Sequence, residues 1–208
     1  MASRLQDVIL RGTAGARPAA TTVAPGTLYY STDTSTTARC ADTGLTWEDY
    51  SDGATGGGSY VVKRVSTQTG AVATGTTVLP LDDTIPQNTE GTQFLTLAIT
   101  PANAANILTI EVILNIAFSV ANSWCAAALF QDSTANALAV GWTANLLGDG
   151  NSQIVLRHVM VAGTTSATTL KVRAGANGAG TFTLNGRIGA RLYGGAAVSS
   201  LVITETLP

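Results

Sequence analysis

Histidine and cysteine are scarce here, with one and two residues among 208, which leaves little material for catalysis or metal binding. A Ser–His–Asp arrangement needs a partnered histidine, but His158 lies in "IVLRHVMV" at the same parity as Ile154, Leu156 and Met160. A packed or subunit-interface histidine is expected there rather than a catalytic one. Zinc needs closely spaced soft ligands, and Cys40 and Cys125 lie far apart. Both thiols are expected to be free, with Cys125 buried as a small apolar residue. Basic runs are missing and the net charge is −2, so no face to attract phosphates, and no nucleic-acid partner, is expected. There is also no apolar run of about 18 residues, so no membrane insertion is expected. The charges in "MASRLQDVILRG" do not suit a signal peptide, and synthesis in a cytoplasm follows.

The acids offer little more. Asp82 and Asp83 are adjacent in a loop between Pro80 and Pro86, and Glu90 follows in "QNTEG". Such loop carboxylates solvate or cap more often than they form the acid pair of a glycosidase. Asp149 in "GDGN" reads as a turn residue, with a loosely held hard cation as the alternative. No catalytic residue, cofactor or metal site is assigned, and no enzymatic activity is expected.

What the chain does have is small and β-prone. Hydrophobic residues make up 45% of it, aromatics only 6% and charged residues 12%, a composition too apolar for disorder. In "LTIEVILNIAFSV" Leu108, Ile110, Val112, Leu114, Ile116, Phe118 and Val120 alternate with positions that include Thr109, Glu111, Asn115 and Ser119. Period-two alternation of this length predicts a strand with one face in a core. "TFTLNGRIGARL" repeats the pattern, with Phe182, Leu184, Ile188, Ala190 and Leu192 on one face, while Gly186 and Gly189 suggest a bulge or a close backbone approach. Shorter strands are expected at "YVVKRVSTQ", "QFLTLAIT", "WCAAALFQD", "QIVLRHVMV", "TTLKVRAG" and "SLVITE", separated by Gly-rich turns. "TPANAANILTI" is the single helical alternative, worth one or two turns. The fold class is therefore all-β: an antiparallel β-sandwich or jelly roll over residues 60–208.

Residues 52–59, "DGATGGGS", form a flexible linker on this reading, because glycine is costly to order and nothing there can be buried. Ahead of it, residues 1–51 read as an extended segment carrying Pro18 and Pro25, followed by a short hairpin module. "TLYYST" and "LTWEDYS" pair as its strands across a Thr-rich middle. Leu28, Tyr29, Tyr30, Trp47 and Tyr50 are its candidate core and anchoring residues. A hairpin this small is marginal in water, so a partner surface is expected to complete it. Arg157, Arg173, Arg187 and Arg191, with His158, lie on expected strands and form either a solvated face or a subunit interface, where arginine is enriched.

Residues 65–101, which open on "VSTQTGAVATGTTV" and close on "QNTEGTQFLTLAITP", resemble a C-terminal β domain of tailed-bacteriophage fibres and other virion appendages, as do "ALFQDSTANALAV" and "HVMVAGTTSATTLKVRAG" after them. The likeness covers most of residues 60–208. "RPAATTVAPGTLYYSTDTSTTARCADTGLTWEDYS" is similar to a short fibre and baseplate module, carried by Gly26, Leu28, Tyr29, Tyr30, Thr32, Asp33, Thr34 and Trp47. The resemblance implies a virion structural protein made in the host cytoplasm: a homotrimer seated on the particle by its N-terminal part, with the β domain displayed. Two roles stay open, a short tail fibre or receptor-binding protein for host attachment, and a trimeric capsid decoration (a head fibre) stabilising the shell. The implied partners are other copies of the chain, tail, baseplate or major capsid proteins, and a host cell-surface glycan or protein.

Overall fold

A computed structural model describes residues 9–32, 36–41, 44, 46–49 and 60–208. The 52–59 linker, Asp33, Thr34 and Tyr50 lie outside the described residues. Two compact units divide the chain, Met1–Gly58 and Ser59–Pro208.

The N-terminal unit is a four-stranded sheet: β1 (Ile9–Gly12), β2 (Leu28–Ser31), β3 (Thr36–Cys40) and β4 (Trp47–Asp49), in that order. β1 and β2 run parallel, whereas β3 is antiparallel to both β2 and β4. The expected two-stranded pairing is corrected: Thr36–Cys40, from the Thr-rich middle, is itself a strand, standing between the two segments expected to pair. β-Branched threonine suits a pleated surface even where hydrophobicity is low.

One face of this sheet buries Tyr29, Ala38 and Cys40. Residues 13–22 turn back over it through short 3-10 turns at Ala14–Ala16 and Ala20–Thr22. Tyr29 Oη donates to Thr13 O at 2.8 Å, and Trp47 Nε1 donates to Pro18 O at 2.8 Å. The two rings meet edge to face at 6.0 Å, with the Arg17 guanidinium 5.6 Å from the Trp47 ring. A Cβ at Gly12 would collide with the Tyr29 hydroxyl, so any larger residue there would displace the ring. The supposedly extended segment thus closes this face from within the chain, so no partner surface is needed on that side. Leu28 and Tyr30 point the other way and are half-buried. Trp47→Ala is expected to cost this unit about 2–4 kcal/mol, near the lower end for aromatic truncation because Trp47 is only half-buried. Amide exchange should rise across β1–β4 and stay unchanged in the sandwich.

The C-terminal unit comprises β5 (Val61–Thr69), β6 (Ala73–Gly75), β7 (Thr92–Ile99), β8 (Ile107–Phe118), β9 (Ser123–Gln131), β10 (Ala139–Asn145), β11 (Gly150–Val161), β12 (Thr168–Ala176), β13 (Phe182–Leu184), β14 (Gly186–Arg187), β15 (Ala190–Arg191) and β16 (Ser199–Thr206). No α-helix occurs among the described residues, and "TPANAANILTI" runs as a loop into β8. One sheet has the order β10-β9-β12-β7. The other is built on β8: β11 pairs along its whole length on one edge, while β16 and β13 share the other edge and lead on to β5 and β6. All of these pairings are antiparallel, and the two sheets form a jelly-roll sandwich.

The core follows the alternation of β8. Its even positions from Leu108 to Phe118 are buried against Cys125, Ala127 and Leu129 of β9 and Leu170, Val172 and Ala174 of β12. Val120, expected on the same face, lies past the strand end and is exposed. The run 181–192 is not one strand. Asn185, Ile188 and Gly189 adopt left-handed φ values of 55°, 53° and 70°. Gly186 meets Ala190 O so closely that no side chain fits. The chain therefore folds into the β14–β15 hairpin, leaving Ile188 70% exposed rather than in the core.

Glu205 is a buried charge at the end of the core. Its Oε1 accepts from Ala102 N and Asn106 Nδ2 at 2.7 Å each and from Asn103 N at 3.4 Å, which pins the 100–106 loop. Burial by itself would raise the carboxyl's pKa. The donors from Asn106, Ala102 and Asn103, with the charge of Lys63, outweigh burial and hold it below the ordinary 4.5.

Candidate functional site

The outward face of the β11–β8–β16 sheet carries apolar side chains where solvent would favour polar ones. On β11 the odd positions point outward, and Val155, Val159 and Val161 are all exposed, Val155 at 62%. Register places Val155 beside Ile113 and Val161 beside Ile107, and Ile113 is exposed as well. Half-buried Val202 of β16 joins the same face. Between the apolar rungs stand Arg157 and Glu111, opposite one another on adjacent strands. Both are exposed, and neither makes an ion pair or side-chain hydrogen bond among the described residues. The surface is a ribbon of valine and isoleucine interrupted by one cation and one anion, which suits contact with another surface better than water.

A second apolar patch lies on the opposite sheet. Trp142 of β10 is 63% exposed and meets Trp124 of β9 edge to face at 5.1 Å. Val140, Leu146 and Leu147 are exposed nearby in sequence. Elsewhere on this sheet residues 77–91 form a strap, with Leu79 packed on Ala128 and Phe130. The two patches flank one edge of the sandwich, where β10 crosses close to β11. A Cβ on Gly141 would come within 2.6 Å of Val155 O, so only glycine permits the approach.

No family model matches the sequence, and no curated protein matches it. Solved structures match the chain only distantly. One is the Eiger TNF from S. frugiperda, 10% identical with a TM-score of 0.42, covering 68% of this chain and 92% of that one. Another is the VP2 subviral particle of infectious bursal disease virus, 13% identical with a TM-score of 0.32, covering 71% of this chain and 39% of that one. A family two carbohydrate esterase from Cellvibrio japonicus is 13% identical with a TM-score of 0.25, covering 70% of this chain and 36% of that one. Likenesses this weak say nothing of activity.

The residues singled out in the sequence do not gather on one surface. Arg157 points outward, whereas the adjacent His158 points inward, half-buried between Leu156 and Met160. Arg173 spends its guanidinium within the chain: Nε donates to Glu90 O and an Nη to Gly91 O, each at 2.7 Å, tying down the strap. Arg187 and Arg191 sit exposed on the β14–β15 hairpin. Arg157 alone of the five lies on the apolar ribbon. The acids close turns. Asp82 accepts from Thr84 N and Oγ1 at 2.9 and 2.6 Å, which lowers its pKa, and Glu90 accepts from Gln87 N. Asp149 occupies a left-handed turn position at φ 57°. Both cysteines are free and buried, and burial pushes the Cys125 thiol up to about 11. Among the described residues no cluster of three His, Cys, Asp or Glu could hold a metal, and no helix is long and apolar enough to cross a membrane.

The ribbon and the Trp pair were missed by sequence reasoning, although β11 held a signal. In "QIVLRHVMV" apolar residues occupy both parities, Ile154, Leu156 and Met160 on one and Val155, Val159 and Val161 on the other. A strand apolar at both parities carries apolar side chains on its outward face as well as its core face.

Proposed function

We propose that this chain is a subunit of a bacteriophage virion appendage, a homotrimer seated on the particle by its N-terminal unit and displaying its sandwich for host attachment, as a short tail fibre or receptor-binding protein. The observation that carries the reading is the pair of unlike apolar patches on either side of one sandwich edge. A two-fold contact sets a patch against itself, whereas a contact between unlike patches is heterologous and closes into a ring where the rotation between copies permits. The valine ribbon of one copy against the Trp124–Trp142 patch of the next covers both patches. The ordered resemblance to an anchoring module followed by a display domain supplies the virion setting. This role makes no use of catalysis, in keeping with acids that close turns and a histidine that packs.

Adsorption competition with quantitative copy counting tests the proposal. Purified full-length chain is expected to bind host cells and block infection, and the particle to carry a few dozen copies or fewer. Failure to bind at saturating concentration, with hundreds of copies per particle, would overturn attachment in favour of capsid decoration.

A further inference from the structure

Where β8 changes partners, side-chain amides seal its edge instead of ladder bonds. β13 pairs with β8 only as far as Ile116, and the β16 pairing starts at Ile113. Asn185, buried and left-handed, fills the gap. Its Nδ2 donates to Thr69 O and Ala71 O at 2.8 and 3.0 Å, and its Oδ1 accepts from Ser199 Oγ at 2.6 Å. Asn115 O accepts from Asn185 N at 2.9 Å, and Asn115 Nδ2 donates to Val198 O at 2.6 Å. These bonds make a fixed, uncharged frame.

Against that frame opens a cavity of about 170 Å³, walled by Asn115, Asn151, Ser152 and Tyr193 with Ile116 and Leu192. None of its lining residues is charged. The side chains of Asn151 and Ser152 have no hydrogen-bond partner among the described residues, and Tyr193 is 82% exposed. Three of the six left-handed non-glycine residues among those described, Asn185, Ile188 and Tyr193, fall in the loop that builds this wall. Left-handed backbone at a β-branched residue and at a tyrosine is uncommon, and such strain collects where a structure holds a ligand.

Size and chemistry narrow the occupant. The volume lies below the roughly 300 Å³ at which pockets for drug-sized ligands begin, so one small ring is the limit. A phosphate, carboxylate or ammonium would lose water without meeting a countercharge, which is costly. Free amide and hydroxyl groups beside apolar and aromatic walls complement a ring with hydroxyls at its rim and C–H groups on its faces. We infer that this pocket binds one neutral sugar residue of a surface glycan, with Tyr193 against the C–H face and Asn151 and Ser152 bonded to hydroxyls. The inference rests on the display reading for its setting. Asn115 is the next outward position on β8 after Ile113, so each chain of an assembly would carry one site at the rim of the apolar ribbon. Weak single-site binding then multiplies through simultaneous engagement.

Titration of the full-length protein with glucose, galactose, N-acetylglucosamine and glucuronate, followed by NMR, tests it. At least one neutral sugar should give saturable shifts at Tyr193 and Asn151 with a millimolar Kd. Asn151→Ala should weaken that binding at least tenfold. So should Tyr193→Gly, which removes the ring yet suits the φ of 48°. Tyr193→Phe should retain most of it. No saturable shift with any neutral sugar, preference for glucuronate, or undiminished binding by Tyr193→Gly would each overturn the assignment. The two readings fail separately. A protein that blocks adsorption but binds no sugar sinks the pocket alone, and one that binds sugar without blocking adsorption sinks the display reading alone.

Discussion

Val155→Arg is expected to return the assembled protein to single chains. Val155 is the most exposed member of the ribbon and stands beside Ile113, so an arginine there would set a charge against an apolar partner surface. Truncating or charging a central interface residue commonly costs about 2–4 kcal/mol, and each 1.4 kcal/mol is tenfold in affinity. Sedimentation should show association weakened about thirtyfold or more. The single chain should keep its sheet content, since outward-facing substitutions usually change stability by less than about 0.5 kcal/mol. Leu81→Arg, on the strap and outside both patches, should assemble normally. Trp142→Ala should weaken association too, and its effect should fall short of additive with that of Val155→Arg, because the two residues are placed in one heterologous contact. Strict additivity would separate the patches and remove the argument for a ring.

Glu205→Ala should damage the sandwich strongly. It strands the donors of Ala102, Asn103 and Asn106 around a void, and a hydrogen bond to a charged group is worth about 1.5–3 kcal/mol. A loss of about 3–5 kcal/mol is expected in denaturant unfolding, comparable to removing one partner of a buried charge pair. The pH dependence has a definite sign. A carboxyl held below its ordinary value contributes stability that is fully present above about 4.5, the unfolded value, and lost as pH falls through the lower folded value. Glu205→Gln keeps an acceptor for the loop, so it should cost less than the alanine change and lack this acid-dependent loss. An acid transition unchanged in Glu205→Gln would show that another carboxylate governs it.

Much of the sandwich was legible because strand geometry writes itself into alternation. β8 announced its buried face from Leu108 to Phe118, and every shorter strand named from the sequence is present. The errors fall where local pattern and tertiary contact diverge. β3 looked like a connector because Thr36 and Thr37 are polar, although threonine is a good strand residue. β10 escaped notice because Gly141 interrupts it, and that glycine is needed only because β11 passes so close. The 181–192 run alternates correctly, yet Asn185, Gly186 and Gly189 turn it back on itself.

The candidate surfaces were harder to read. Charge drew the eye to Arg157, Arg173, Arg187 and Arg191, but the fold commits Arg173 to the strap and sets Arg157 on β11 apart from Arg187 and Arg191 on the β14–β15 hairpin. The apolar ribbon is a property of register between β8 and β11, and the Trp pair of register between β9 and β10. Neither juxtaposition exists along a single segment. In the N-terminal unit the Tyr29 and Trp47 rings meet, while their cover, residues 13–22, was read as extended because proline and alanine carry no amphipathic signal.

Light scattering on the purified full-length chain tests the central claim most directly, since the display reading requires each apolar patch to be covered by a neighbouring copy. A mass three times that of one chain, stable on dilution to low micromolar concentration, is expected. The mass of a single chain at every concentration would contradict the account.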